Sequence, residues 1–234
     1  MPGAPPAQQD FDLGRDFSLA ANPSGPWRYG HTSGTTLAAR DFVLDTFSVD
    51  RRPIGLWHPG SDRASHFPYV AGNLGHATAA YIADRDGHII TVDVAGRFGP
   101  DAGAEPVNGW AIDAGQVALE ASNTGQYALV QFVAPRAGDY AINATFTGIH
   151  TGLSTTDVHA LLGEESLFSA LIDGYAGDPR LHRREGASPT ASYHGSRVLR
   201  AGDVLTFAVG FGANHTHFYD TTGLSVVIRD VQRR

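Results

Sequence analysis

At 234 residues, with 42% apolar and only 18% charged side chains, the chain is long enough to bury a core and too poor in charge for a disordered polymer. A formal net charge of −7 gives no positive field for nucleic acid, and the lack of Lys removes Schiff-base chemistry and the phosphate-cradling P-loop. The absence of Cys excludes disulfides, thiolate zinc sites and cysteine nucleophiles. In chain order, residues 1–16 read as a flexible N-terminal arm, and 1–9 lack the basic and apolar regions of a signal peptide. Strands are expected at 42–49, 77–82 and 88–94, with Asp86-Gly87 as a tight hairpin turn between the last two. A Gly/Pro-rich loop follows at 98–108, then strands at 117–121 and 127–133. In 139–147 Tyr140, Ile142, Ala144 and Phe146 share one face, and Asn143, Thr145 and Thr147 the other. In 155–162 Val158, Ala160 and Leu162 oppose Asp157 and His159. Further strands fall at 167–172 and 193–199, separated by a polar loop at 175–188. Alternation returns with Leu205, Phe207, Val209 and Phe211, and finally with Leu224, Val226 and Ile228. No apolar run approaches the ~18 residues of a membrane span.

Period two with one polar face is the mark of antiparallel strands covering a core from one side. About eleven short strands with almost no helical periodicity predict an all-β fold: a two-sheet antiparallel jelly-roll sandwich, one domain over 17–234.

Three stretches resemble a bacterial extracellular jelly-roll β-sandwich module akin to carbohydrate-binding modules: 17–30 (FSLAANPSGPWRYG), 131–162 (with FVAPRAGDYAINATFTG and STTDVHALL), and 199–228 (LRAGDVLTFAVGFGANHTHFYDTTGLSVVI). The resemblance implies an exported protein, extracellular or at the cell surface, with a glycan or polysaccharide as partner. The stretch 51–108 departs from that pattern and is where the chain's own specificity is expected.

A sugar ring stacks its apolar face on an aromatic side chain, so the aromatic residues are the first candidates for a ligand platform. They are Trp27, Trp57, Trp110, Tyr29, Tyr69, Tyr175, Tyr193 and Tyr219. Trp57-His58, beside Pro59-Gly60 and without alternation, is the preferred pair, with Trp110 next. His215 and His217, followed by Phe218, Tyr219 and Asp220, form the tightest His cluster. On extended chain their imidazoles point the same way, resembling the His-x-His of cupins, but the cupin's downstream Glu is missing. His159 and Asp157 read either as a hydrogen-bonded pair on a sheet face or as ligand contacts joined to His150 or the 215–220 loop. Asp157 and Asp220 are the candidate ligands of a structural calcium ion, Asp220 because it matches the module's closing Asp. Asp84-x-Asp86-Gly87 opens like an EF-hand loop, but Ala95 stands where its Glu belongs.

No nucleophile elbow is present, and Glu120, which follows an alternating run and is a candidate to face a groove, has no second acid nearby in sequence. The function expected is therefore a non-catalytic glycan-binding module. The alternatives are a polysaccharide lyase or glycoside hydrolase on the same sandwich, using His and Tyr with an Asp, or a structural cell-surface protein that assembles as a homo-oligomer.

Overall fold

Alternating segments become strands when one face meets a core, and this chain does so almost throughout. The computed structural model describes residues 9–60, 67–83, 89–93, 109–179, 181 and 185–231. In chain order they form β1 (Asp10–Asp12), α1 (Leu13–Asp16), β2 (Trp27–Thr32), β3 (Phe42–Leu44), β4 (Phe47–Arg51), β5 (Ile54–His58) and β6 (Tyr69–Asn73). Next come β7 (Ala79–Ala83), β8 (Ile89–Asp93), β9 (Gly109–Ile112), β10 (Val117–Glu120), β11 (Ala128–Val133) and β12 (Gly138–Gly148). The remainder are β13 (Asp157–Leu162), β14 (Glu165–Leu171), β15 (Asp173–Tyr175), β16 (Glu185–Ser188), β17 (Thr190–Leu199), β18 (Val204–Val209) and β19 (Thr222–Val231).

Two antiparallel sheets form the sandwich. The first has the order β17-β12-β19-β10-β6-β5-β4, with β1 also on β19; the second runs β14-β13-β18-β11-β2-β3. From β10 onward the chain passes between them repeatedly, β11, β13, β14 and β18 lying in the second and β10, β12, β17 and β19 in the first. That to-and-fro is jelly-roll winding. The stretch 42–49, expected as one strand, is two. It changes sheets at Asp45, whose buried carboxylate sits 2.7 Å from His31 Nδ1.

The inner faces meet in one core, with Trp27, Tyr29, Phe132, Tyr140, Phe146, Phe207 and Ile228 among its members. The arm expected over 1–16 is part of this core from Asp10 onward. There β1 pairs with β19, Asp10 opposite Arg229, and Phe11 and Leu13 are buried. Apolar residues at 11 and 13 flanked by acids were enough to seat an edge strand; residues 1–8 lie outside the described residues. Phe17 then lies on Gly72 of β6, where any Cβ would meet its ring at 2.1 Å.

The first sheet has a second layer on its outer face. A cover sheet of order β8-β7-β9 lays Ala79, Trp110 and Ile112, with Tyr81, over Ile54, Leu56, Tyr69, Ala71 and Ala118. Its other face, through Ala80 and Ala111, packs on Tyr175 of the β15–β16 hairpin and on Leu181. β7 and β8 pair as the hairpin pattern requires, Ala83 opposite Ile89. The Asp86-Gly87 turn, the EF-like Asp84 and Ala95, and the loop 98–108 lie outside the described residues.

Candidate functional site

β10 ends where β6 begins, so pairing places Glu120 directly opposite Tyr69 on the first sheet's outer face. Thr221, just before β19, completes the row. The Tyr69 hydroxyl donates to Glu120 Oε2 at 2.7 Å and lies 3.1 Å from the Thr221 hydroxyl, which also donates to Glu120. All three are buried. Burial pushes the Glu120 carboxyl up to about 8, against the hydroxyl hydrogen bonds that stabilise its ionised form. Asp220, also buried, accepts at Oδ1 from the Thr155 amide at 2.8 Å and the Thr155 hydroxyl at 3.1 Å. Its carboxyl is raised to about 6, chiefly by burial. Beside them His150, buried, is held neutral, with its pKa lowered to about 4 by the same cause.

Over this cluster lie the turn after β12 and the loop 211–220 that leads into β19. All three non-glycine residues with positive φ among those described are here: Leu153 at 67°, His215 at 54° and Tyr219 at 69°. Strained backbone of this kind persists only where its surroundings hold it, and it concentrates at functional sites. The Tyr219 ring packs 5.0 Å from His150, on Gly152, where a Cβ would overlap it at 2.3 Å. His217 is wedged between Phe67 at 4.9 Å and Phe218 at 4.6 Å, and its pKa is lowered by burial. Phe218 is 66% exposed and Tyr219 47% exposed. The arrangement pairs two accessible aromatic residues with a rigid, largely buried polar foundation.

Trp110 does come to this end, though not as a platform. It is 2% exposed, stacked 5.0 Å from Tyr81 and 6.0 Å from Tyr69, and offers no free face to a sugar. Trp57 goes elsewhere: it is 6% exposed in the main core, and its indole N–H donates to the Ser18 carbonyl at 2.8 Å. His58 is buried too, with Nδ1 accepting from the Gly60 amide. The pair lacks alternation because β5 is covered on both faces.

His159 and Asp157 are a hydrogen-bonded pair on the second sheet. Asp157 Oδ2 accepts from the Tyr127 hydroxyl at 2.7 Å and lies 2.8 Å from His159 Nε2, while Oδ1 accepts from the Gly212 amide at 2.8 Å. Burial raises this carboxyl's pKa, but the three hydrogen bonds outweigh it and the net shift is downward. The pair thus ties to the start of the 211–220 loop and not to His150. His215 packs on Phe211, away from the Phe67 and Phe218 that hold His217. The two imidazoles diverge because left-handed backbone at His215 breaks the extended geometry that would align them. A calcium ion wants six to eight oxygens. Both oxygens of Asp157 and Oδ1 of Asp220 are already engaged by donors. Asp220 Oδ2 is buried without a hydrogen-bond partner, and no group of three or more His, Asp or Glu that could hold a metal occurs among the described residues.

No family model matches the chain, and no curated protein matches it in sequence. Among solved structures it is similar to CBM51 from Clostridium perfringens GH95 in complex with methyl-galactose, at 11% identity and a TM-score of 0.30 over 64% of this chain and 79% of that one. It is similar to a family 35 carbohydrate binding module from Clostridium thermocellum, at 12% and 0.26 over 57% and 81%. A third is the K3 cleaved adhesin domain of Lys-gingipain from Porphyromonas gingivalis, at 13% and 0.28 over 51% and 75%. At TM-scores of this size the likeness decides nothing about this chain's chemistry.

Proposed function

We propose that the chain is a glycan-binding module, working outside the cell, whose ligand stacks on Tyr219 and Phe218 at the end of the sandwich. One observation carries this reading. Phe218 and Tyr219 keep 66% and 47% of their surface open on a loop with backbone strain, while the residues beneath them are buried and hydrogen-bonded. The ring of Tyr219 is held between His150 and Gly152. A fixed aromatic face with hydroxyl, amide and imidazole groups nearby suits a pyranose, which has an apolar face and a polar rim.

Affinity electrophoresis against neutral and acidic polysaccharides tests it. Tyr219→Ala and Phe218→Ala are each expected to weaken retention about tenfold, the worth of one aromatic stack. Retention unchanged in both variants would remove the platform. Release of reducing or unsaturated products from any polymer in the panel would replace the binding reading with the catalytic one.

A further inference from the structure

The cover sheet stops short of the first sheet's other half, and at that seam lies a cleft of about 560 Å³. Its size is that of small-ligand sites. One wall comes from the cover sheet and the turn after it, with Thr78 and Asp113; the Thr78 hydroxyl donates to Asp113 Oδ1 at 2.7 Å. The floor is the first sheet's outer face, with Gln116, Thr147 and Ile149, and Pro179 helps to close the far side.

The floor has a specific construction. Thr147 and Gly223 are register partners on β12 and β19. Because residue 223 has no side chain, the Gln116 carboxamide occupies the space above it: a Cβ at 223 would stand 2.5 Å from Gln116 Nε2. The carboxamide therefore shares the outer face with Thr147, across the β12–β19 pair. Among the described residues neither the carboxamide nor the Thr147 hydroxyl has a side-chain hydrogen-bond partner, and Asp113 Oδ2 has none either. A carboxamide, a hydroxyl and a carboxylate oxygen, all spare, thus line one cleft.

The geometry points to a second ligand site here, for a neutral polyhydroxylated ring such as a pyranose unit. A carboxamide and a carboxylate between them donate to and accept from vicinal hydroxyls, which a saturated apolar ligand would leave unpaired at a cost. The Asp113 carboxylate in the lining sets a negative charge against a uronate or sulfated sugar. The site is separate from Tyr219 and depends on hydrogen bonds rather than stacking. It rests on the glycan-binding reading only for the choice of probes.

Titration of ¹⁵N-labelled protein with cellohexaose, mannohexaose, xylohexaose and hexagalacturonate, read in every variant at the backbone amides of Thr147 and Ile149 and, where it is present, at the Gln116 side-chain amide, tests it. At least one neutral hexasaccharide is expected to shift those amides saturably, and hexagalacturonate to bind at least about tenfold more weakly. Gln116→Leu, and independently Gly223→Ala, which displaces the carboxamide without removing it, are each expected to weaken this binding about tenfold. Tyr219→Ala leaves it within about twofold. No shift up to about 10 mM of any probe, at the weak limit of useful affinity, overturns the inference. So does unchanged affinity in both cleft variants, or a response to hexagalacturonate as strong as to the neutral chains. Tyr219-dependent retention surviving any of these results leaves the loop platform standing; its loss with the cleft intact removes the platform alone.

Discussion

The two halves of the first sheet follow the same strand geometry and meet opposite fates. In β12 and β17 burial alternates residue by residue, because their outer face, with Thr145, Ser192 and His194, meets water. In β5, β6 and β10 every residue is buried, because the cover sheet replaces water on that side. A polar side chain on the open half loses no hydration. On the covered half it must find partners, and Glu120, Tyr69 and Thr221 find them in one another. The difference shows that an outer face becomes a second core only where another layer reaches it.

The sharpest way to break the contrast is to hollow the covered half. Trp110→Ala removes the ring stacked between Tyr69 and Tyr81, and about 3–5 kcal/mol of stability should go with it, measured by urea unfolding. A loss below about 1 kcal/mol would mean that the cover sheet only rests on the first.

The charge state of Glu120 gives the next largest effect. Its carboxyl is about 8 in the fold against 4.5 ordinarily, so the fold holds the proton more tightly than the open chain. The stability this contributes is complete below about pH 4.5 and drains away as pH rises through 8. Glu120→Gln, which keeps an acceptor for Tyr69 and Thr221, should therefore be the more stable protein at pH 8 by about 2 kcal/mol. Near pH 5 the two should differ little, and equal thermal midpoints at both pH values would refute the buried acid.

His150 has the opposite sign. Lowered to about 4 from 6.5, it costs stability as pH falls through that interval, because only the unfolded chain takes up the proton. His150→Asn should flatten the acid limb between pH 6 and 4, by about 1 kcal/mol, in a series of melts. The smallest effect belongs to the open half. Thr145→Ala and Ser192→Ala remove a solvent-facing hydroxyl pair 3.1 Å apart and should each stay within about 0.5 kcal/mol of the parent.

The same contrast explains what the sequence could show. Alternation in 139–147, 155–162 and 224–228 exposed the strands with one wet face, and from them the sandwich. β5 and β6 carry no such rhythm, since a strand buried twice has no polar register to display, and so Trp57 read as lying outside the core, just before a loop. At the candidate site Tyr219, His217 and Asp220 were legible as a local cluster. The hydroxyl partners of Glu120 were not, because Tyr69 and Thr221 lie far along the chain and only the fold brings them to it. Thr147 was legible as an outer-face residue, but nothing in the sequence marked Gln116, whose carboxamide lies above the seam because Gly223 has no side chain.

The pairing of β1 with β19 sets Asp10 opposite Arg229, about 5 Å apart at Cα. The first and last strands of the sandwich are thus neighbours, and a short glycine link from β19 back to β1 would leave both sheets undisturbed. The β13–β14 turn at Gly163, with open space around it, is a place where such a closed loop could be cut anew. The order in which the strands are synthesised is then separable from the shape they make.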